Sequence, residues 1–203
     1  MNLWMALASG LAAGGLHVVS GPDHLAALGA LSADRRARLA FLGFRWGSGH
    51  ALGVLLVGLA AVALRSFTDL APLERWGEAV VGGALILAGL RAIRSWRRPP
   101  AGDARPAGRW AAAFGTLHGL AGASHLWGTL PALALPADGP AQAYLAGFCA
   151  ASVVVMTAFA AALDWARFRA SDGSGRVWGI GAGAVSILIG IGWTAAALFA
   201  PGA

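Results

Sequence analysis

The apolar positions of the chain fall into six long runs separated by short polar stretches. The runs cover residues 3–31, 38–65, 74–96, 110–134, 141–166 and 176–199. Each run is long enough, at 1.5 Å per helical residue, to cross a hydrocarbon layer about 30 Å thick. Hydrophobic residues make up 58% of the chain and charged residues only 12%, which is more apolar than a soluble core requires. The pattern predicts an all-α integral membrane protein with six transmembrane helices.

Two of the runs contain residues that interrupt helices. Gly21 and Pro22 lie inside the first run, and Gly119, Gly122 and Pro131 lie inside the fourth. Such residues favour discontinuous helices, whose freed backbone groups line a polar site rather than meet lipid. We therefore expect helices 1 and 4 to be broken, with an ordinary proline kink as the alternative.

A motif of the first run recurs in the fourth. Residues 16–25 read LHVVSGPDHL and residues 117–126 read LHGLAGASHL, so Leu, His, Gly, His and Leu return after 101 positions. Two weaker echoes are residues 86–89 with 187–190, also at 101, and Gly43-Phe44 with Gly147-Phe148, at 104. The chain is therefore expected to consist of two related halves.

The halves are expected to be inverted relative to each other. Each would hold three spans, an odd number, so the second must enter the membrane from the opposite face. We assign residues 1–97 to the first three-helix repeat and residues 109–203 to the second. Residues 98–108, rich in Pro, Gly, Ala and Arg, are predicted to be a flexible cytoplasmic linker.

All fifteen basic residues are arginines, and their distribution predicts the orientation. Twelve lie on the side of the connections that follow the first, third and fifth runs, against Arg65 and Arg75 on the opposite side. By the positive-inside rule, both termini are predicted to be extracytoplasmic, in a multi-pass protein of a bacterial inner membrane. The short basic patches form no continuous face, which excludes nucleic acid as a partner. Tryptophans, Trp46 among them, are predicted to be interfacial anchors.

Every histidine of the chain lies inside a predicted span. They are His17, His24, His50, His118 and His125. A titratable group at membrane depth costs roughly 2.5–3.5 kcal/mol on insertion scales, so several together predict a functional site. Asp23 adds a carboxylate beside His24. Neutral imidazole binds transition metals and titrates near neutrality, which leaves a metal pathway, a proton relay and a cofactor site as candidates.

The spacing of His17 and His24 constrains how they could act together. Seven residues place them on one helix face but about 10.5 Å apart along the axis, too far for one ion. Either Gly21-Pro22 unwinds the helix enough to bring them together, or each histidine serves a different point on a path. Because no thiolate or methionine cluster lies near the motif, the ligands favour Ni(II), Co(II) or Zn(II) over Cu(I).

These motifs resemble those of a known transporter family. His17, Asp23 and His24 resemble the His-x4-Asp-His signature of the nickel/cobalt transporter (NiCoT) family, with five intervening residues here instead of four. Gly49-His50 is similar to that family's Gly-His motif on its next helix. Residues 117–126 resemble a stretch of UreH-type urease accessory permeases, which belong to the same superfamily. The resemblance implies a Ni2+ or Co2+ permease with His17, Asp23, His24 and His50 as the first ligands to consider.

The leading hypothesis is a membrane permease that takes up Ni2+ or Co2+ through an intramembrane site, with no enzymatic activity and no permanent cofactor. The predicted metal ligands are His17, Asp23, His24, His50, His118 and His125. The predicted pathway or hinge residues are Ser20, Gly21, Pro22, Gly49, Gly122 and Ser124. The predicted partners are the lipid bilayer and the ion, with a homo-oligomer left open. The alternative is a bis-histidine haem b or quinone redox protein; an intramembrane metalloenzyme is disfavoured because no His-Glu-x-x-His pattern is present.

Overall fold

The structure, a computed structural model, describes residues 1–31, 38–64, 71–97, 105–121, 123–169 and 174–199. Within those ranges all regular secondary structure is helical. The helices are α1 (Leu3–Ser20), α2 (Pro22–Leu31), α3 (Leu39–Leu64), α4 (Ala71–Arg97), α5 (Arg105–Ala121), α6 (Ala123–Leu133), α7 (Pro140–Arg169) and α8 (Ser174–Phe199). Their bounds follow the six apolar runs closely, with the first run divided in two.

The division of the first run occurs at Gly21. α1 ends at Ser20, where the N–H of Gly21 donates to the carbonyl of His17 at 3.1 Å. Pro22 then begins α2, because proline has no N–H to donate to a preceding turn but fits the first position of a new helix. The predicted break in helix 1 is therefore present. The predicted break in helix 4 falls at Gly122, between α5 and α6, and lies outside the described residues.

α5 begins inside the segment that was predicted to be a linker. α5 starts at Arg105, so residues 105–108 of the predicted linker are its first turn. Pro106 is compatible with that start, since the first N–H groups of a helix have no intrahelical acceptor. The rest of the predicted linker, residues 98–104, lies outside the described residues.

Five of the described helices are long and apolar enough to cross a membrane. The candidate spans are Leu3–Ser20, Leu39–Ala60, Trp76–Ser95, Pro140–Arg167 and Arg176–Phe199. α5 has 17 residues and α6 has 11, so each alone is shorter than these five. Large apolar side chains such as Leu16, Leu87 and Leu188 are exposed on the long helices. Helices that are apolar on their outer as well as their inner faces are typical of a bundle surrounded by lipid.

α1 packs along α7 in parallel. Gly10 and Gly14 of α1 face the backbone of Tyr144 and Phe148 of α7, in the same order along both helices. A Cβ at either glycine would overlap a carbonyl oxygen of α7. Small residues are what allow membrane helices to approach this closely and gain van der Waals contact.

α5 packs along α3 in the same manner. Gly115 and Gly119 of α5 face the carbonyls of Trp46 and His50 of α3. Gly49, in turn, faces the backbone of Ala112 on α5. The close approach of these two helices is what places His50 and His118 at the same level of the bundle.

Two antiparallel pairs complete the bundle, α3 with α7 and α4 with α8. In the second pair, Gly82 faces the carbonyl of Gly190 and Gly89 faces the carbonyl of Gly183. Between these two contacts the Ser186 hydroxyl donates to a carbonyl oxygen of α4 at 2.8 Å. α4 and α8 therefore touch through glycines on both sides of a buried hydrogen bond.

The glycine contact between α4 and α8 predicts different tolerance at two adjacent positions. Gly82→Leu should force the helices apart, whereas a Cβ at Gly83 meets no atom within 4 Å. We expect Gly82→Leu to lower the Tm of the purified protein by roughly 3–10 °C, from an overpacking cost of about 1–3 kcal/mol. Gly83→Leu is the matched control and should leave the Tm nearly unchanged. Equal Tm values for the two variants would contradict this helix contact.

Candidate metal centre

The break after α1 brings two histidines together. His17 lies in the last turn of α1 and His24 in the first turn of α2. Their ring centroids are 4.7 Å apart, whereas a continuous helix would separate the residues by about 10.5 Å along its axis. Of the two arrangements compatible with the sequence, the structure therefore has the one in which Gly21-Pro22 unwinds the chain and the histidines converge.

Gly21 is required at the break because of its close neighbours. Its backbone is extended, with φ −83° and ψ 103°, a conformation open to any residue. A Cβ at this position, however, would overlap the His24 ring and lie 2.8 Å from a carboxylate oxygen of Asp23. Steric room for the imidazole, rather than backbone freedom, therefore explains glycine here.

Asp23 links the two halves of the chain. Its Oδ1 accepts a hydrogen bond from the backbone N–H of His24 at 3.0 Å and also lies 3.0 Å from Nδ1 of that ring. Its Oδ2 lies 3.2 Å from Nε2 of His118, in the last turn of α5. Only 3% of Asp23 is exposed. When Nδ1 of His24 donates to this carboxylate, Nε2 carries the lone pair that a metal ion binds.

His50 of α3 completes a group of four imidazoles. Its ring stacks on that of His17 with centroids 5.6 Å apart, and lies 5.1 Å from His24 and 5.7 Å from His118. His24 and His50 are fully buried. We call His17, Asp23, His24, His50 and His118 the histidine cluster; its members come from α1, α2, α3 and α5.

Two sets of three donors in the histidine cluster could each hold a metal ion. His17, His24 and His50 can each offer one nitrogen such that the three lie within 4.8 Å of one another, and the same holds for donors of Asp23, His24 and His118. Metal–nitrogen bonds of about 2.0–2.1 Å would need only a small inward movement of these side chains. His24 belongs to both sets, so it lies at the centre of the cluster.

The structure brings together five of the six predicted ligands. His17, Asp23, His24, His50 and His118 are in contact, whereas the side chains of His125 and Ser124 lie outside the described residues, as does Gly122. Gly21 and Pro22 form the break, and Gly49 allows α3 to approach α5. Ser20, a predicted pathway residue, is exposed and donates to the carbonyl of Leu16 within its own helix at 2.8 Å. Its hydroxyl therefore satisfies the backbone and does not join the cluster.

Sequence reasoning missed two aromatic residues that touch the cluster. The Phe148 ring centroid lies 5.3 Å from that of His17, and the Trp46 ring centroid 5.7 Å from that of His118. Phe148 is fully buried and Trp46 is only 3% exposed, so the assignment of Trp46 as an interfacial anchor is wrong. Its position one helical turn before His50, and hence on the same face of α3, is the signal that could have identified it.

Comparison with known proteins gives two relatives. No protein-family model matches the chain, and no solved structure matches it. The chain is 33% identical over 181 residues to the Chloroplast protein FOR GROWTH AND FERTILITY 1 of Arabidopsis thaliana, covering 78% of this chain and 49% of that protein. It is 34% identical over 167 residues to the Chloroplast protein FOR GROWTH AND FERTILITY 2 of the same plant, covering 74% of this chain and 45% of that protein.

These relatives correct one prediction. The chain spans about half the length of the curated relatives it matches. Both are chloroplast proteins by name, which contradicts the predicted location in a bacterial inner membrane, and that prediction is wrong. The arginine pattern reports which loops share a side of a membrane, and it carries no information about which membrane that is.

Proposed function

We propose that this chain is the membrane-embedded part of a permease for a divalent transition-metal ion, and that the histidine cluster is where the ion binds. The observation that carries the proposal is the convergence of four imidazoles and one carboxylate, from four helices, in the centre of an apolar bundle. Burying such groups is costly, so membrane proteins retain them mainly at functional sites. Ni2+ or Co2+ is the substrate and uptake the direction that the family resemblance implies.

The depth of the cluster supports passage across the bundle. His50 lies 11 residues after the start of α3 and 14 before its end. At 1.5 Å per residue these distances are about 17 and 21 Å, so the cluster lies near the middle of a layer about 30 Å thick. An ion there has to cross a comparable thickness of protein to leave on either side.

The contacts between α3 and α7 support inverted repeats. Gly47 faces Val153, and the thiol of Cys149 lies 3.5 Å from the carbonyl of Ala51. Gly47 corresponds to Cys149 and Ala51 to Val153 when residue numbers are shifted by 102. The contact of Gly47 with Val153 therefore corresponds to the contact of Cys149 with Ala51. A two-fold axis in the membrane plane between the two helices would produce this exchange.

The glycines of α4 and α8 support the same axis. Gly82 corresponds to Gly183 and Gly89 to Gly190 when residue numbers are shifted by 101. The contact of Gly82 with Gly190 therefore corresponds to the contact of Gly183 with Gly89. We therefore propose six crossings, with α1 and α2 together forming the first and α5 and α6 together forming the fourth. The end of α1, the start of α2 and the end of α5 then meet at the histidine cluster.

The chemistry of the cluster suits a borderline divalent ion. Imidazole nitrogens with one carboxylate are typical ligands of Ni(II), Co(II) and Zn(II), and no thiolate is required. The charge of Asp23 offsets part of the charge of the ion, and its contact with Nδ1 of His24 fixes the ring in the orientation that presents Nε2. The proposal is binding and passage, with no chemical conversion of a substrate.

A bis-histidine haem is less compatible with these distances. The rings of the histidine cluster pack against one another with centroids 4.7–5.7 Å apart, which leaves no gap for a porphyrin between any of these pairs. The cavity beside His118 measures about 10 Å³, close to the volume needed for one water molecule. These dimensions favour a single ion over a large planar cofactor.

The names of the two relatives support a proposal about the membrane in which this protein lies. Both are chloroplast proteins named for growth and fertility. We propose that the membrane is a chloroplast membrane and that the ion is supplied across it. The parts of the relatives that this chain does not span leave room for functions outside the bundle.

The first test of the permease concerns Asp23 and His24. Asp23→Asn keeps the shape but removes the charge and one of the two acceptor oxygens, so the side chain can no longer accept from both His24 and His118. We expect it to weaken Ni2+ and Co2+ binding by about 10–100-fold. His24→Ala removes a donor that both ligand sets share and should abolish most of the flux. The measurements are metal titration of the purified protein and flux into proteoliposomes that contain a metal-sensitive dye.

Asp164→Asn is the matched control for this test. Asp164 pairs with Arg167 at 2.8 Å near the end of α7, outside the histidine cluster, so the same change of charge there should leave binding and flux unaltered. Flux like that of the wild type in both Asp23→Asn and His24→Ala would remove these residues from the site. Loss of a haem absorption band in His24→Ala would support the redox alternative instead.

The second test concerns the room that Gly21 leaves for His24. Gly21→Ala should displace the imidazole and weaken metal binding by about tenfold or more, since a shift of about 1 Å in a ligand spoils its geometry. Gly15→Ala is the control, because its Cβ would meet only Val155, at 3.9 Å. Metal titration compares the two. Unchanged affinity in Gly21→Ala would mean that the break does not position the ligand.

A further inference from the structure

Two buried aromatic side chains flank the histidine cluster, one against each half of the chain. Phe148 of α7 packs on His17 with ring centroids 5.3 Å apart, and Trp46 of α3 packs on His118 at 5.7 Å. Neither ring contributes a metal donor, and both are almost fully removed from the surface. Any role in ion passage must therefore come from their position between the histidine cluster and the two ends of the bundle.

The two rings lie toward opposite ends of the bundle. Trp46 is seven residues after the start of α3, and Phe148 is eight residues after the start of α7. α3 and α7 are antiparallel, because Gly43 faces Ala160 near one end while Gly58 faces Leu145 near the other. The starts of the two helices therefore lie at opposite ends, and each ring lies between the cluster and a different end.

The surroundings of the two rings correspond to each other when residue numbers are shifted by 101 or 102, as do the helix contacts described above. A shift of 101 residues takes His17 to His118, and one of 102 takes Trp46 to Phe148. The backbone contacts agree, because Gly14 faces the carbonyl of Phe148 as Gly115 faces that of Trp46. The two ring–imidazole contacts are therefore equivalent positions of the two halves.

The Phe148 ring is held tightly. A Cβ at Gly128 of α6 would lie 2.8–2.9 Å from its outer carbons, so the ring fills the space between α6 and His17. The Tyr144 hydroxyl, one turn away on α7, donates to the carbonyl of Gly128 at 2.8 Å and fixes α6 against α7. On this side the cluster is closed by direct packing.

The Trp46 ring is held less tightly. It lines the cavity of about 10 Å³ together with Ala27, Leu85 and His118. Ala27 is the counterpart of Gly128 after a shift of 101 residues. The indole Nε1 is buried and has no hydrogen-bond partner among the described residues, although a buried tryptophan N–H usually finds one.

We propose that Trp46 and Phe148 are the two permeation barriers of the protein, each closing the histidine cluster toward one side of the membrane. The assignment rests on the proposed function, in that the cluster is taken as the site through which an ion passes. Apolar constrictions block ions and water by excluding solvent. Two such barriers in series on either side of a binding site allow access from one side while the other stays shut. The looser packing at Trp46 makes its side the first to open.

The test measures proton leak, because it needs no metal. Purified protein is reconstituted into vesicles loaded with a pH-sensitive dye, and a potassium gradient with valinomycin imposes the membrane potential. With either Trp46→Ala or Phe148→Ala alone, the intact ring should hold the leak within about twofold of the wild type, whereas the double variant should raise it about tenfold or more. The control is the double variant Phe41→Ala with Trp110→Ala, in which both rings removed are exposed on the outside of the bundle.

The outcomes separate the barriers from the permease. A folded double variant that leaks no more than the control would overturn the assignment, and a single variant that leaks as much as the double would show one barrier instead of two. If the alanine pair does not fold, the pair Trp46→Gln and Phe148→Gln keeps side-chain bulk but makes both constrictions polar, so it should leak above the same control, and a folded pair that does not would overturn the assignment. A leaking double variant of a protein whose wild type binds neither Ni2+ nor Co2+ would support the barriers and reject the metal permease.

Discussion

A buried carboxylate between two imidazoles is the interaction on which the centre of this protein depends. Asp23 is almost without solvent contact, and its two oxygens reach His24 of the first half and His118 of the second. A charge in such surroundings is stable only with hydrogen-bond donors or cations beside it. α2 and α5 must therefore stay close together, and the path of the backbone around them follows from that requirement.

Glycine is the means by which the surrounding helices satisfy this requirement. α1 with α7 and α3 with α5 approach until backbone meets backbone, at positions where any larger residue would overlap a carbonyl. The same close packing sets the level at which each imidazole lies. A bundle held by bulkier side chains would leave the rings of the cluster too far apart to share a ligand.

Much of this arrangement could be predicted from the sequence, because it depends on local patterns. Apolar runs of membrane-spanning length predict the helices, and Gly21-Pro22 predicts a break, since neither residue continues a helix well. The spacing of His17 and His24 limited the possibilities to two but could not choose between them, because the choice depends on how far the break bends the chain. The partner of the Ser20 hydroxyl could not be predicted for a related reason: the hydroxyl has an acceptor in its own helix, and only the direction of the side chain decides which partner it takes. The role of Ser20 as a pathway or hinge residue stays a prediction.

Longer-range features were harder to predict. The echo of Gly43-Phe44 in Gly147-Phe148 suggests a register of 104 residues for α3 and α7, whereas their packing follows 102, and Phe44 is in fact exposed. The counterpart of Phe148 is Trp46, a different residue type that no repeat search by identity would pair with it. The cellular location was beyond the reach of the sequence pattern, because the physics of insertion is similar in many membranes.

In the proposed repeat, the two halves share a backbone plan but not a charge. The counterpart of Asp23 is Ser124, and the counterpart of His50, after a shift of 102 residues, is Ser152, whose hydroxyl is used to bind the carbonyl of Phe148 at 2.8 Å. Of the described members of the cluster, the carboxylate and three of the four imidazoles therefore come from the first half. In the proposed permease, the electrostatic potential along the path is therefore asymmetric, so ion passage in the two directions can differ in rate even though the gradient alone sets the equilibrium.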